Sequence, residues 1–92
     1  MLKVVETKKY QKGLIKIRHK KTVLKELRKA LEILVNQKPI PKSYKDHELQ
    51  GKMKGIRELH LAHDDLLLYF IETELGELVL VDIGTHSRTL KI

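Results

Sequence analysis

The fold of this 92-residue chain is decided by one apolar stretch in its second half, which reads Leu66-Leu67-Leu68-Tyr69-Phe70-Ile71-Glu72. Successive side chains of a β-strand point to opposite faces, and nearly every position of this stretch is apolar. Such a run predicts a strand that is covered on both faces. We therefore expect residues 66–72 to form the central strand of a sheet.

The strand before it is predicted over residues 56–61, where polar and apolar side chains alternate. This period of two indicates a strand with one face covered and one face open. The covered face is expected to carry Arg57, Leu59 and Leu61. The open face is then expected to carry Ile56, Glu58 and His60.

The strand after it is predicted over residues 78–83, following a sequence typical of a hairpin turn, Glu74-Leu75-Gly76-Glu77. Its β-branched residues recur at every second position, which predicts a face directed at the core. These residues are Val79, Val81 and Ile83. Extending the same alternation brings His86 to the open face, which also carries His60.

The first half of the chain predicts one short strand and two helices. Residues 2–6 are β-prone, and Thr7 can cap a helix that runs towards Lys20. An apolar stripe predicts a second helix over residues 23–36, which ends before two prolines. The order β-α-α-β-β-β predicts an α+β fold with a helical hairpin packed on an antiparallel sheet, in a single domain over residues 1–92.

Chemistry is expected where histidines accumulate in the second half of the chain. His47, His60, His63 and His86 lie there, and Asp64 stands beside one of them. Imidazoles next to a carboxylate suit proton transfer near neutral pH. The alternatives are surface histidines without a function and a metal site, because imidazole and carboxylate groups also bind zinc. The sequence contains no compact set of metal ligands, so acid–base chemistry is favoured.

The positive charge is concentrated in the first half. Residues 1–45 carry 14 basic and 3 acidic side chains, a net charge of +11, whereas residues 46–92 carry 5 and 9, a net charge of −4. This asymmetry predicts that the basic half faces a polyanion, and a solvated helical surface is the alternative. Near the histidines, Lys54 and Arg57 could hold a phosphate. Aromatic residues are scarce, which argues against a single-strand binder that works by base stacking.

The composition excludes several classes of protein. The chain has no cysteine, which leaves no disulfide, no thiolate metal site and no cysteine nucleophile. No apolar run approaches the roughly 18 residues of a membrane span, and the first residues lack the apolar region of a signal peptide. We therefore expect a cytosolic protein that does not bind a membrane.

Several short motifs of the second half resemble, in order and spacing, the YafQ branch of the RelE superfamily. These motifs are Tyr44-Lys45-Asp46-His47, Leu49-Gln50-Gly51, Lys54-Gly55, Arg57-Glu58-Leu59-His60, Asp64, Leu67-Leu68-Tyr69 and Gly84-Thr85-His86-Ser87. The specific match covers residues 44–90, whereas residues 1–43 agree in length, helicity and basic character. The fold of that family is the β-α-α-β-β-β order predicted above.

The resemblance implies the toxin of a bacterial type II toxin-antitoxin system, which cuts mRNA in the ribosomal A site and is inhibited by a cognate antitoxin. It implies no metal and no other cofactor. The residues that match the catalytic positions of the family are His47, His60, Asp64 and His86. They are expected to turn the ribose 2′-hydroxyl into a nucleophile on the adjacent phosphate, which leaves a 2′,3′-cyclic phosphate.

RNA binding is expected on two surfaces. The basic helical half is expected to meet ribosomal RNA, through side chains that include Lys8, Lys9, Lys20 and Lys21. The second surface surrounds the histidines and is expected to meet the message. Its predicted RNA-binding residues are Lys54, Arg57 and Leu90.

The chain departs from the family pattern at three positions. Asp65 stands where relatives often have an aromatic residue, Leu90 where they commonly have Phe, and Asp82 where many carry Arg. We expect Asp65 to repel a nearby phosphate, and the absence of an aromatic ring at Asp65 and Leu90 predicts slower or less selective cleavage. Asp82 removes a possible phosphate contact. The alternative functions are a regulator that binds RNA and an antitoxin without efficient cleavage, and a metal-dependent hydrolase.

Overall fold

The computed structural model describes residues 1–90 as two layers, a five-stranded sheet with helices packed on it. The helices and strands are β1 (Lys3–Glu6), α1 (Lys8–Lys16), α2 (Lys21–Val35), β2 (His47–Glu48), β3 (Arg57–Ala62), β4 (Asp65–Glu72), β5 (Glu77–Thr85) and α3 (His86–Leu90). Single turns of 3-10 helix lie at Lys42–Tyr44 and Gly51–Met53. Among residues 1–90, no helix is both long and apolar enough to cross a membrane.

The strands lie in the order β1-β5-β4-β3-β2. β4 is central, as its continuous apolar sequence predicts, and it pairs antiparallel with β3 and β5. The α+β class is confirmed, but the sheet is mixed rather than antiparallel throughout, because β1 pairs parallel with β5. The helical hairpin connects β1, at one edge of the sheet, to β2 at the other edge. The antiparallel strands β2 to β5 then bring the chain back, so that β5 lies beside β1 and runs parallel to it.

The core lies between the helical hairpin and one face of the sheet. On α2, the buried residues recur at intervals of three or four, as an amphipathic helix requires, and are Val23, Leu27, Ala30 and Leu34. The sheet supplies Leu59, Leu61, Leu67, Tyr69, Leu78, Leu80 and Ile83. The predicted covered face of β3 is therefore confirmed for its two leucines.

α1 begins at the predicted cap, since the Thr7 hydroxyl accepts a hydrogen bond from the backbone N–H of Tyr10 at 3.1 Å. The helix ends at Lys16, earlier than predicted. Gly13 lies where α1 crosses β5, and a Cβ atom there would overlap the carbonyl oxygen of Ile83. This close approach accounts for a glycine inside the helix, where it costs about 1 kcal/mol relative to alanine.

The core face of β5 differs from the prediction. It carries Leu78, Leu80 and Ile83 rather than Val79, Val81 and Ile83. The cause is a β-bulge, since Leu68 of β4 pairs with Asp82 while Tyr69 pairs with Leu80, which leaves Val81 out of register. The bulge shifts by one residue the alternation between side chains that face the core and side chains that face away from it. Because β5 is apolar at both parities before the bulge, the sequence pattern was compatible with either face.

Candidate active site

His47 is held in place by the residue that precedes it. Asp46 Oδ2 accepts hydrogen bonds from Arg57 Nε and Nη2 at 3.0 and 2.7 Å, and Asp46 Oδ1 accepts one from the Tyr69 hydroxyl. The hydrogen bonds to Asp46 raise the pKa of Arg57. Burial, reinforced by Asp46, raises the pKa of Tyr69 far above its ordinary value, so the phenol remains a donor. This network ties the segment before β2 to β3 and β4.

Glu58 connects two of the predicted site histidines. His47 lies opposite Glu58 in the pairing of β2 with β3, and His60 follows two residues later on β3. Glu58 Oε1 lies 2.9 Å from His60 Nε2 and 3.6 Å from His47 Nε2. The Glu58 side chain is 4% exposed, so its carboxylate is withdrawn from water beside two imidazole rings. The centroids of these rings are 6.3 Å apart.

His86 and Asp64 meet at one end of the sheet. The backbone N–H of His86, the first residue of α3, donates to the backbone carbonyl of Asp64 in the turn between β3 and β4, at 3.1 Å. His60 on β3 and Gly84 on β5 both pair with Leu66 of β4. His86 and Asp64 therefore lie at the same end of the sheet as His60.

The four predicted site residues thus occur as two pairs. Among residues 1–90, a carboxylate other than the predicted Asp64, that of Glu58, lies within 4 Å of two imidazole nitrogens. Its position two residues before His60 places both side chains on one face of β3, and this signal was present in the sequence. Among residues 1–90, no group of three or more His, Asp or Glu side chains is arranged to hold a metal ion.

The predicted RNA-binding residues differ in their solvent exposure and in their contacts with other side chains. Lys8 and Lys21 are exposed on the helical half, and Lys54 is exposed before β3. Arg57 is 39% exposed although its guanidinium also binds Asp46, so part of it faces solvent. Leu90 is half-buried at the end of α3. These five positions present side chains to the solvent.

Asp65 is not the surface charge that the sequence suggested. It is 2% exposed, and its carboxylate accepts hydrogen bonds from Lys20 Nζ at 3.0 and 3.3 Å. The expectation that Asp65 repels a phosphate is therefore wrong, because its charge is buried and compensated. Lys20, predicted to bind RNA, is the residue that compensates it.

Asp82 is fully buried and is also compensated within the fold. Its Oδ1 accepts hydrogen bonds from Arg88 Nη2 at 3.0 Å and from the backbone N–H of Ile83 at 2.8 Å. Lys9 Nζ lies 3.6 Å from Oδ2. The Arg88 guanidinium packs against Gly84, where a Cβ atom would overlap it. Arg88 was not singled out from the sequence, because its partner lies six residues away on a different element.

Comparison with known proteins agrees with the fold. The family model described as bacterial toxin of type II toxin-antitoxin system, YafQ, matches residues 2–91. The chain is 38% identical over 71 residues to the mRNA interferase toxin YafQ of Escherichia coli K12, covering 76% of this chain and 73% of that protein. A relative from Haemophilus influenzae that also bears the name YafQ is 39% identical over 62 residues, which are 65% of this chain. The match spans 61% of the length of that relative.

Solved structures show the same similarity. A metal-bound toxin from Helicobacter pylori superposes with a TM-score of 0.86 at 39% identity, covering 96% of this chain and 98% of that chain. The E. coli DinJ-YafQ complex gives a TM-score of 0.82 at 26% identity, covering 96% of this chain and 97% of that chain. The match of the family model over residues 2–91 and the shared fold identify a toxin of a type II toxin-antitoxin system. Within that class, the chain belongs to the YafQ family.

Proposed function

We propose that this toxin is a ribosome-dependent endoribonuclease that cleaves mRNA in the A site by metal-independent acid–base catalysis. The observation that carries the proposal is the contact of one buried carboxylate with the imidazoles of His47 and His60. Two ionisable rings held close together can give and take protons in one reaction. The name of the E. coli relative, an mRNA interferase, supports RNA as the substrate.

The proposed reaction is an attack of the ribose 2′-oxygen on the adjacent phosphorus. One imidazole takes the proton of the 2′-hydroxyl, the 2′-oxygen–phosphorus bond forms, and the bond from phosphorus to the 5′-oxygen breaks. An imidazolium gives its proton to the leaving 5′-oxygen. The products are a 2′,3′-cyclic phosphate and a 5′-hydroxyl, and the residues proposed to take part are His47, His60, Asp64 and His86.

The proposed partners are the ribosome, the message and an antitoxin. The helical half carries 14 of the 19 basic side chains, which suits ribosomal RNA. An acidic segment of the antitoxin would complement the same charge. The E. coli DinJ-YafQ toxin-antitoxin complex supports a protein antitoxin as a partner. Because ribosomes lie in the bacterial cytoplasm, the proposed function places the protein there, without a membrane partner or a small-molecule cofactor.

The direct test is cleavage of a defined message on purified ribosomes. We expect cleavage only when ribosomes hold the message with an empty A site, and fragments that end in a 2′,3′-cyclic phosphate. A small acidic protein encoded beside the gene is expected to stop the reaction at equimolar amounts. Cleavage of the free message at the same rate, or fragments that end in a 3′-hydroxyl, would contradict the proposal.

A second candidate function is an RNA-binding regulator that cleaves poorly. The observation that favours it is the burial of Asp82 against Arg88, at a position where the resemblance to the family leads us to expect an arginine that could contact a phosphate. Ribosome binding and inhibition of translation without any cut in the message would support this alternative.

The basic surface can be tested with two lysines whose side chains are exposed, Lys8 and Lys21. Reversing both to glutamate is expected to weaken ribosome binding and to reduce the dependence of log affinity on log salt by about 2, one unit for each phosphate contact. Binding is measured by sedimentation over a salt series. Lys20→Glu serves as a contrast, because it faces the buried Asp65 and should instead lower the melting temperature. Unchanged affinity in the double variant would remove this surface from the interface.

Leu90 allows a test of base stacking at the end of α3. An aromatic ring against a base is worth about 1 to 3 kcal/mol, so Leu90→Phe is expected to raise single-turnover cleavage by roughly 5-fold or more. Leu90→Met is the matched control, since it has similar bulk and no ring. Equal rates for the two variants would show that stacking at this position does not limit cleavage.

A further inference from the structure

We propose that Asp46, Arg57 and Tyr69 form a positioning network that fixes the imidazole of His47 for catalysis, an inference that rests on the proposed function. In this assignment none of the three touches the reacting atoms. They act from the face of the sheet that packs on the helices, whereas His47 works on the open face. Arg57 thereby supports a site histidine, in place of the RNA contact that the sequence predicted for it.

Asp46 and His47 are adjacent in the chain, and their side chains lie on opposite faces of the sheet. Cross-strand partners share a face, so His47 lies on the open face with its partner Glu58. Arg57 pairs with Tyr69, which is 1% exposed within the core between the sheet and the helices. The Asp46 carboxylate reaches both of these side chains. The chain is therefore anchored on one face by the residue that precedes the histidine on the other.

β2 is too short to hold His47 through its backbone alone. It contains two residues and lies at the edge of the sheet, so it pairs on one side only. The chain approaches β2 through Lys45, whose φ of 50° is left-handed and disfavoured for a residue with a side chain. After the strand, the backbone N–H of Leu49 donates to the carbonyl oxygen of Ile56 at 2.9 Å. A further attachment is needed to keep this segment in a single conformation.

The carboxylate of Asp46 supplies this attachment. Its Oδ2 accepts two hydrogen bonds from one guanidinium, that of Arg57, and its Oδ1 accepts one from the Tyr69 hydroxyl. Hydrogen bonds between charged groups are strong, and a guanidinium that donates twice fixes the orientation of the carboxylate as well as its position. The Asp46 side chain is 12% exposed, so water competes little for these contacts.

The position of Asp46 reaches the His47 ring through one peptide unit. The carbonyl oxygen of Lys45 belongs to the peptide bond that includes the Asp46 nitrogen. This oxygen lies 2.8 Å from His47 Nδ1, which is within hydrogen-bond distance. The His47 side chain is 53% exposed, so packing alone restrains the ring little. Loss of the network is therefore expected to free both the ring and the strand.

The first test observes the free protein without substrate. Asp46→Asn and Tyr69→Phe are expected to shift the imidazole signals of His47 in NMR spectra, and to speed amide hydrogen exchange of Leu49 by about 10-fold or more. The amides of β5 should be affected less, which separates local release of β2 from loss of the fold. Tyr10→Phe is the matched control, because it removes a hydroxyl from a core tyrosine on α1 that is 1% exposed.

The second test is kinetic and uses ribosomes that hold a message. Asp46→Asn and Tyr69→Phe are each expected to lower the maximal single-turnover rate by about 10- to 100-fold, while the ribosome concentration for half-maximal rate stays within about 2-fold. In a His47→Ala background the same changes should cost almost nothing, because the residues act as a unit. Arg57→Lys should recover part of the rate that Arg57→Ala loses.

The role of Arg57 is decided by the dependence of binding on salt. A phosphate contact predicts that Arg57→Ala reduces the slope of log affinity against log salt by about 1. The positioning role predicts an unchanged slope and a lower maximal rate. A reduced slope together with an unchanged maximal rate would overturn the inference.

Two other results would also overturn it. One is that Asp46→Asn leaves the His47 signals and the exchange of Leu49 as they were. The other is a loss of rate in Asp46→Asn that adds in full to the loss in His47→Ala. The NMR and exchange measurements involve no cleavage, so their failure is distinguishable from failure of the proposed nuclease function.

Discussion

Replacing His60 with alanine, or His86 with glutamine, is expected to lower the rate of mRNA cleavage on the ribosome by roughly 10²- to 10⁴-fold, as loss of a positioned proton-transfer group does. The rate is measured in a single turnover with excess toxin, so that product release does not obscure the chemical step. Ribosome affinity should stay within about 2-fold, since each substitution leaves the basic helical half unchanged. His19→Ala is the matched control, because His19 is exposed in the connection between the two helices.

The same assay separates acid–base chemistry from metal chemistry. Dialysis against EDTA, followed by restoration of ribosomal magnesium, is expected to leave cleavage unchanged. The dialysis experiment is needed because the similar toxin from Helicobacter pylori is metal-bound. Cleavage that is lost on dialysis and recovers only with added zinc or copper would overturn the assignment, and so would full activity of the His60→Ala variant.

Arg88→Ala is expected to destabilise the protein by about 3 kcal/mol, because it leaves the buried carboxylate of Asp82 without its closest cation. Lys9 remains near this carboxylate, but at 3.6 Å and with a side chain that is 52% exposed. For a domain of this size, such a loss lowers the melting temperature by roughly 12 to 24 °C. The measurement is thermal or urea unfolding followed by circular dichroism.

Two further variants test whether the loss of stability in Arg88→Ala comes from the unpaired carboxylate of Asp82. Lys29→Ala removes an exposed ion pair with Glu26 and is expected to change stability by less than about 1 kcal/mol. Asp82→Asn, added to Arg88→Ala, should restore part of the loss, because a neutral amide costs less to bury than an unpaired carboxylate. An equal loss in the presence and absence of the Asp82 change would show that Arg88 stabilises through packing alone.

Much of the architecture was accessible from local patterns. The run from Leu66 to Glu72 predicted a central strand, and the alternation around Leu59 and Leu61 predicted the covered face of β3. Both predictions are confirmed, because each depends on the period of side chains within one segment. The cap at Thr7 and the stripe of α2 are local in the same sense.

The candidate site was accessible in part. His47, His60, Asp64 and His86 came from motifs in the second half, and their roles stay predictions that the experiments above test. Glu58 was visible as a neighbour of His60 on the open face, but its contact with His47 depends on the pairing of β2 with β3. A strand of two residues has too little sequence to reveal such a pairing.

The sequence by itself determined the class of fold, the order of the elements and the concentration of positive charge in the helical half, since these depend on composition and short-range periodicity. The tertiary structure alone decided the register of β5, where a bulge reassigns Val81, and the parallel pairing of β1. It also decided the environment of the two acidic residues at which the chain departs from the family pattern. Asp65 is buried against Lys20, and Asp82 is buried against Arg88. A buried charge is tolerated only when a cation reaches it, and that partner is supplied by packing between elements, which local sequence does not encode.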